Sequence, residues 1–399
     1  MYLTNTLPGH GHPLTPADSA LLGREGAEAV AQVLALRGQA APTPLYQLPG
    51  LAQELGLGGL WLKDEGQRLG LGSFKALGGA YALMRLAQRE ASAQWGRAVD
   101  LAEIFSDEVR TVAAGMTFAC ATDGNHGRSV AQGAQQMGTR AVIFVHGGVS
   151  AGRIEAIARF GAQIVRVEGS YDDSVAEAAR VADDKGWTLL SDTSWPGYEE
   201  IPGLVMQGYT ALVQEVLDEM PAPPTHVFLQ AGVGGFAAAV AAHLAIRLGA
   251  ARPHVTVVDP ARAASLYRSA EAGRIVKVPE NGATVMAMLE CYEPSLRAFG
   301  ILERVADGFM MVEDEDALAV MRRLAAPAPG DPAIVAGESG GAGLAGVIAL
   351  LRDPATAAEI RLDDTARVLV INTEGATDPA LYARIVGQNP EQITERQTA

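Results

Sequence analysis

Residues 117–128, Thr-Phe-Ala-Cys-Ala-Thr-Asp-Gly-Asn-His-Gly-Arg, decide the class of fold. The first five form an apolar run short enough for a buried strand, and a glycine-containing loop then leads into a helix-forming run at 128–137. The same succession of strand and helix continues to residue 258. Such alternation predicts an α/β fold with open, mostly parallel twisted sheets flanked by helices.

The other elements are predicted from the same patterns. Strands are expected at 59–65, 141–145, 163–167, 188–190, 226–230, 255–258 and 366–371, and helices at 26–36, 74–89, 150–160, 170–185, 204–219, 236–248, 261–271, 314–324 and 343–351. Residues 1–20, rich in glycine, proline and threonine, predict an extended arm. We expect a large domain made of residues 1–87 and 196–399 and a small domain made of residues 88–195.

Composition excludes several classes of protein. The chain has 399 residues, 48% of them hydrophobic, and a net charge of −15, which disfavours binding to nucleic acid or to an anionic membrane. No apolar stretch is long enough to span a bilayer and no signal peptide is visible, so neither membrane nor export is predicted. Two cysteines make no disulfide framework, which favours the cytoplasm. His10-Gly-His12 lacks a third ligand at structural spacing, and no metal is predicted.

Lys75 lies in the sequence Leu69-Gly-Leu-Gly-Ser-Phe-Lys-Ala-Leu-Gly-Gly-Ala-Tyr81, where glycines give way to a helix-forming run. Apolar packing near a positive helix start disfavours an ammonium group. A neutral amine there can attack an aldehyde and hold it as a Schiff base. The alternative is a solvated lysine on a surface helix.

Two loops after predicted strands suit ligand binding. Gly232-Val-Gly-Gly235 precedes a helix, and backbone N–H groups freed by glycine form a cradle suited to phosphate. The loop also fits a dinucleotide site with Asp259 on the ribose, although the third glycine of that fingerprint is missing. In the other loop, Asp123 and Asn125 either cap a helix or place an amide where it can bond a ring hydroxyl.

Together, these motifs resemble the fold-type II pyridoxal-phosphate enzymes and, within them, the diaminopropionate ammonia-lyases. The resemblance covers residues 43–386 and rests on Leu62-Lys-Asp-Glu65, Ser73-Phe-Lys-Ala-Leu-Gly-Gly79, Ala121-Thr-Asp-Gly-Asn-His-Gly-Arg128, Ser191-Asp-Thr-Ser-Trp195, Gly197-Tyr-Glu199, Gly232-Val-Gly-Gly235, Glu338-Ser-Gly-Gly-Ala342 and Asn372-Thr-Glu-Gly-Ala-Thr-Asp-Pro379.

The resemblance implies a cofactor, a reaction and a role for each matched residue. The cofactor is pyridoxal 5'-phosphate, and the reaction is α,β-elimination of 2,3-diaminopropionate to pyruvate and ammonia in a cytoplasmic homodimer. The implied cofactor-binding residues are Lys75 (as the Schiff-base lysine), Phe74, Asn125 at the ring hydroxyl, Gly232, Val233, Gly234 and Gly235 at the phosphate, and Thr373 at the ring nitrogen. Lys75, Asp123 and Asp192 are the implied catalytic residues, with Asp123 as the base for the D-isomer.

Two departures from the family pattern leave alternatives open. Tyr292 stands where the family carries glycine, beside Cys291, and Asp259-Pro260 stands where Glu-Pro is expected. A tyrosine there can narrow the substrate pocket. Dehydration of serine, threonine or a β-substituted serine is therefore the alternative on the same fold. A nicotinamide-dependent oxidoreductase and a non-catalytic amino-acid sensor are alternatives from other classes.

Overall fold

The computed structural model describes residues 1–122, 124–280 and 282–398. It confirms the predicted α/β fold. The chain divides into two compact units: the first comprises Met1–Arg24, Pro42–Gln67 and Leu212–Ala399, and the second comprises Glu25–Ala41 and Arg68–Ala211. These limits differ from the predicted domain limits at 87/88 and 195/196, which stay a prediction.

The strands are β1 (Tyr2–Thr4), β2 (Leu45–Gln47), β3 (Gly59–Asp64), β4 (Thr117–Ala121), β5 (Arg140–His146), β6 (Gln163–Val167), β7 (Thr188–Leu189), β8 (His226–Gln230), β9 (His254–Pro260), β10 (Gly308–Val312) and β11 (Arg367–Asn372).

The α-helices are α1 (Pro16–Leu22), α2 (Arg24–Leu36), α3 (Pro49–Leu55), α4 (Gly78–Trp95), α5 (Asp107–Ala114), α6 (Asn125–Met137), α7 (Ala151–Ala158), α8 (Tyr171–Lys185), α9 (Glu200–Gly208), α10 (Thr210–Glu219), α11 (Gly235–Leu248), α12 (Ser265–Ala272), α13 (Leu296–Val305), α14 (Asp314–Ala325), α15 (Ala342–Leu351), α16 (Pro354–Glu359), α17 (Pro379–Val386) and α18 (Pro390–Thr398).

The sheet of the first unit has the strand order β1-β10-β9-β8-β11-β3-β2 within the described residues. The five inner strands are parallel, and the short edge strands β1 and β2 are antiparallel to their neighbours. Buried apolar side chains such as Leu60, Phe228, Val347 and Val370 fill its core, each stabilising the fold by about 1.5–3 kcal/mol. The order of strands reverses direction between β8 and β11, which is where open α/β sheets bind ligands.

The sheet of the second unit has the order β6-β5-β4-β7, with all pairs parallel in the described part of the chain. Helix α8 packs on it through Ala178 and Ala182 against Val142 and Phe144. A capping box between Ser170 and Asp173 begins this helix. Here the order reverses between β4 and β7, the kind of position at which open α/β sheets bind ligands.

Two predicted elements were wrong. Residues 1–20 are not only an extended arm, because Tyr2–Thr4 pairs with β10 and Thr15 caps helix α1, accepting a hydrogen bond from the Asp18 N–H. The single helix predicted at 204–219 begins at Glu200 and is two helices, α9 and α10, separated at Tyr209. Among the described residues, no helix combines the length and apolarity needed to cross a membrane.

Candidate active site

The carboxyl end of β4 leads to Thr122, whose side chain holds the start of α6. The Thr122 hydroxyl accepts hydrogen bonds from the N–H groups of Gly124 at 3.0 Å and Gly127 at 3.1 Å, and so caps the start of α6. A Cβ atom on Gly127 would lie 2.4 Å from Cγ2 of Thr122, which explains the glycine. This cap makes Asn125 the first residue of α6, and its side chain is buried. The predicted base Asp123 lies outside the described residues.

Lys75 lies in a single 3₁₀ turn, Phe74–Ala76, just before α4. The Phe74 ring packs edge-on against Tyr209 with 4.8 Å between ring centroids. The Ser129 hydroxyl, on α6, accepts a hydrogen bond from the Ala80 N–H and donates one to the Ala76 carbonyl. These contacts tie the lysine turn to the helix that begins with Asn125.

The amine of Lys75 and the carboxylate of Asp192 form an ion pair. Lys75 Nζ donates to Asp192 Oδ2 at 2.8 Å, with the two side chains 24% and 11% exposed. Burial alone would raise the pKa of Asp192, but the charges of Lys75 and His126 and the hydrogen bond from Lys75 outweigh it and hold that pKa below its ordinary value. We expected surroundings that disfavour the ammonium of Lys75, whereas this carboxylate stabilises it.

His126 joins the two loops at this edge of the sheet. Its Nε2 lies 3.0 Å from the Leu190 carbonyl, two residues before Asp192, so this nitrogen carries the proton and donates. Burial lowers the pKa of His126, and the nearby charge of Asp192 opposes this shift. The sequence prediction assigned this residue no role. Its place beside Asn125 in a loop after a strand is the signal that could have found it.

The segment that carries Asp192 is held from its far side by Tyr198. The Tyr198 hydroxyl donates to the Leu189 carbonyl at 2.7 Å and accepts from the Ser191 N–H at 3.1 Å. Its ring stacks on Trp195 with 4.3 Å between centroids. Tyr198 of the Gly-Tyr-Glu motif and Trp195 of the Ser-Asp-Thr-Ser-Trp motif therefore fix the end of β7.

The first unit carries the predicted phosphate cradle. The loop Gly232-Val-Gly-Gly235 lies between β8 and α11, and Gly234 has a φ of +97°, a conformation that favours glycine. A Cβ atom on Gly232 would lie 3.0 Å from Sγ of Cys291. Backbone N–H groups at the start of a 14-residue helix suit the phosphate of a cofactor.

Thr373 directly follows β11, on the neighbouring strand of the same sheet. It is buried, and Oγ1 lies 2.9 Å from Nε2 of Gln230, the last residue of β8. The same amide nitrogen lies 2.6 Å from the Gly340 carbonyl and 2.9 Å from the Ile371 carbonyl. Gln230 was not predicted as a site residue, although a polar residue that ends an apolar strand before a glycine loop is a usable signal.

Asp259 does not have the surroundings of a ribose-binding acid. Its Oδ2 accepts the Tyr267 N–H at 2.8 Å and so holds the start of α12. Burial raises the pKa of Asp259 to about 8, against hydrogen bonds from the backbone of Tyr267 and Leu266 that lower it. A neutral carboxyl group engaged with a helix start is a structural support, so the geometry does not favour the nicotinamide alternative.

Tyr292 lies in the segment that contacts the glycine loop. Its hydroxyl donates to Glu290 Oε1 at 2.6 Å, and its carbonyl accepts the Val278 N–H. A Cβ atom on Gly232 would meet Cys291 Sγ, Leu289 Cα and the Met288 carbonyl of this segment. The departure from the family pattern therefore lies beside the cradle of the first unit.

The chain matches known proteins along most of its length. The family described as "Pyridoxal-phosphate dependent enzyme" matches residues 36–374. Diaminopropionate ammonia-lyase of Escherichia coli strain K12 is 37% identical over 392 residues, covering 96% of this chain and 95% of that protein. The enzyme of the same name from Salmonella typhimurium strain LT2 is 39% identical over 356 residues, covering 87% and 88%.

A solved structure supports the family match and the two relatives. The crystal structure of diaminopropionate ammonia-lyase from Escherichia coli, in complex with an aminoacrylate-PLP azomethine reaction intermediate, has a TM-score of 0.86 and 36% identity, and the match covers 97% of this chain and 96% of that one. These matches confirm the resemblance that the motifs indicated. The chain therefore belongs to the pyridoxal-phosphate dependent enzymes and, within them, to the diaminopropionate ammonia-lyase family.

Proposed function

We propose that this protein catalyses the α,β-elimination of 2,3-diaminopropionate with pyridoxal 5'-phosphate. The reaction consumes one water and releases pyruvate and two molecules of ammonia. The observation that carries the proposal is the ion pair of Lys75 and Asp192, because it places the predicted Schiff-base lysine against a carboxylate that stays ionised. The names of the relatives from Escherichia coli and Salmonella typhimurium support the same substrate.

The residues present fit the cofactor. Lys75 would bind its aldehyde carbon, Asn125 would meet the ring hydroxyl, and Phe74 would pack beside the ring. Gly232, Val233, Gly234 and Gly235 would hold the phosphate at the start of α11, and Thr373 would meet the ring nitrogen. When bound, the group withdraws electrons from Cα of the amino acid and so makes its proton acidic.

Protein side chains would perform the proton transfers. The neutral amine of Lys75, released when substrate binds, would take the α-proton of the L-isomer at Nζ. Asp192 would stabilise the resulting ammonium, as it does the ammonium of Lys75 in the structure. Because the pKa of Asp192 is held low, Asp192 suits binding of an amino group rather than donation of a proton, and Lys75 Nζ would return its proton to the departing β-amino group.

A second base would serve the D-isomer. The α-protons of the two enantiomers lie on opposite faces of the bound substrate, and proton transfer requires heavy atoms within about 2.6–3.2 Å, so one amine does not reach both. We assign the opposite face to Asp123, which lies two positions before Asn125 in the sequence.

Release of keto acid from a panel of amino acids tests this function. Purified protein should release pyruvate from L- and D-2,3-diaminopropionate much faster than from L-serine, and 2-oxobutanoate from L-threonine only slowly. Faster turnover of serine, threonine or a β-substituted serine would replace the proposal by the dehydratase alternative. Binding of the same amino acids without turnover would support the sensor.

We also propose that the protein acts in the cytoplasm as a homodimer on a small amino-acid substrate. The low number of cysteines supports a reducing compartment. Light scattering of the eluted protein during gel filtration would give the mass of the assembly, and a mass of one chain would contradict the dimer.

A further inference from the structure

Gln230 and Thr373 meet at the switch point of the first unit's sheet, between the ends of the adjacent strands β8 and β11. The amide nitrogen of Gln230 lies within 2.9 Å of two carbonyl oxygens, those of Gly340 and Ile371, and of Oγ1 of Thr373. Carbonyl oxygens only accept, so the atom that faces them must be the nitrogen of the amide. Both residues are almost fully buried.

The direction of the hydrogen bond between these side chains follows from that assignment. An amide nitrogen has no free lone pair and only donates. Oγ1 of Thr373 is therefore the acceptor, and its own proton must point to a different partner. Within the described part of this unit, no acceptor of that proton is found at hydrogen-bonding distance.

Other contacts hold both residues in this arrangement. The neighbouring Asn372 donates from its side chain to Asp64 at 2.8 Å and to the Val335 carbonyl at 3.0 Å, and the Thr373 N–H donates to the Gly340 carbonyl. A Cβ on Gly343 would lie 2.8 Å from Oε1 of Gln230, so the glycine leaves the space that this amide occupies. The two side chains are held from several directions.

We infer that Gln230 is a positioning residue that fixes the Thr373 hydroxyl as a hydrogen-bond donor to the ring nitrogen of the cofactor. A pyridine nitrogen that receives this hydrogen bond carries no proton of its own. The opposite arrangement, in which a protonated ring donates to Thr373, would leave the hydroxyl proton without an acceptor. The inference rests on the proposed assignment of Thr373 to the ring nitrogen.

The test is a double-mutant cycle on the binding of pyridoxal 5'-phosphate, followed by fluorescence and by the visible absorbance of the loaded protein. Gln230→Met keeps the length of the side chain but cannot donate, and Thr373→Val keeps the shape of threonine without the hydroxyl. In the wild-type background Gln230→Met should weaken binding by about fivefold to tenfold and shift the absorbance, the range expected for one hydrogen bond. In the Thr373→Val background the same change should alter binding by less than about twofold.

The outcomes distinguish a failure of this inference from a failure of the assignment of Thr373 to the ring nitrogen. An equal loss in both backgrounds would show that Gln230 acts only through the carbonyls, and no loss in either would show that Gln230 does not affect cofactor binding. Both results would overturn the inference. Thr373→Val without any effect on affinity or absorbance would overturn the assignment of Thr373 as well. If Gln230→Met does not fold, Gln230→Asn serves in its place, because its amide is one methylene shorter and no longer reaches the hydroxyl.

A cofactor analogue provides a second test that needs no double variant. In 1-deaza-pyridoxal phosphate a carbon replaces the ring nitrogen and accepts no hydrogen bond. Gln230→Met and the wild type should bind this analogue with the same affinity, within about twofold, while differing on the natural cofactor. An identical fold-loss on both ligands would contradict the inference.

Discussion

Asp192 Oδ2 lies 2.8 Å from Nζ of Lys75, and both side chains are mostly buried. A partly buried pair of this kind is held by Coulomb attraction that water screens only weakly. Removal of one partner leaves an uncompensated charge on the other, so the pair should govern both catalysis and the pH dependence of stability.

Asp192→Asn should lower turnover of diaminopropionate by about 10²- to 10⁴-fold, the usual range for loss of a group that assists proton transfer. In the cofactor-free protein, ionised Asp192 stabilises the fold at pH values above its pKa in the unfolded chain. Because its folded pKa lies lower still, that stability is lost only as the pH falls through the acid range. Thermal unfolding should show a constant gap between wild type and variant at pH 6–8 that narrows below about pH 4. A gap that does not depend on pH would contradict the ion pair.

Lys75→Ala should abolish elimination and the visible absorbance of the loaded protein, because no other described amine accompanies Asp192 at this edge of the sheet. The matched control is Lys185→Ala, which removes an exposed lysine of the same unit that lies over the Trp187 ring. The control should keep wild-type absorbance and turnover. If Lys75→Ala behaves like the control, the assignment fails.

Asp259→Asn should remove a pH dependence of stability. Burial raises the folded pKa of Asp259 to about 8, so above pH 4 the folded chain binds a proton that the unfolded chain has lost. Rising pH therefore destabilises the wild type between about pH 4 and 8, by at most about 1.4 kcal/mol per pH unit. Asparagine carries no such proton and still accepts the Tyr267 N–H.

Urea unfolding at pH 5 and pH 8 measures the effect. The stability of Asp259→Asn relative to wild type should rise between the two values. Asp363→Asn is the control, since hydrogen bonds from Thr365 lower the pKa of that exposed carboxylate and place its titration below this window. Parallel profiles for Asp259→Asn and wild type would show that Asp259 is ionised in the folded protein.

Tyr292→Gly should change substrate selectivity more than cofactor content. Tyr292 belongs to the segment that contacts Gly232, and a change of fit around a substrate is worth about 1–3 kcal/mol, or roughly 10- to 200-fold in relative rates. Tyr292→Phe keeps the ring, loses only the hydrogen bond to Glu290, and should preserve the ratios. Unchanged ratios for Tyr292→Gly across the amino-acid panel would show that the ring does not face substrate.

Asp123→Asn should depress turnover of D-diaminopropionate far more than that of the L-isomer, by about 10²-fold or more. Asparagine keeps the size of aspartate but has no basicity, so cofactor binding should be retained. Steady-state rates measured on each pure enantiomer test this prediction. Equal losses on both would make Asp123 a residue that positions substrate or leaving group.

Local sequence patterns were sufficient to predict the inner strands and the principal helices. The strands at 163–167 and 226–230 have the predicted limits, because short apolar runs between turn residues leave little choice of structure. The elements that the sequence did not predict depend on pairing with segments far away in the chain. Strand β1 has three residues and exists because it pairs with β10, about 300 positions later in the chain.

In the candidate site, too, the residues that carry motifs were predicted and those that depend on distant partners were missed. Lys75, Asn125, Thr373 and the glycine loop carry motifs, whereas His126 and Gln230 matter through partners that only folding reveals. The Leu190 carbonyl and the Thr373 hydroxyl are 64 and 143 positions from the residues that bond them. Strand order, which sets both switch points, is likewise a long-range property.

The pairing of β3 with β11 has a consequence for how the protein folds during its synthesis. Asp64 on β3 is hydrogen-bonded to Asn372 on β11, 308 positions later, so at 5–20 residues per second β3 waits roughly 15–60 s for its inner neighbour. The strands of the second unit, by contrast, leave the ribosome in one continuous block, and their sheet can form while the first unit is still incomplete. Until β11 emerges, the apolar run of β3 has only β2 to cover its edge, and this interval is when the nascent chain is most exposed to aggregation and most dependent on chaperones.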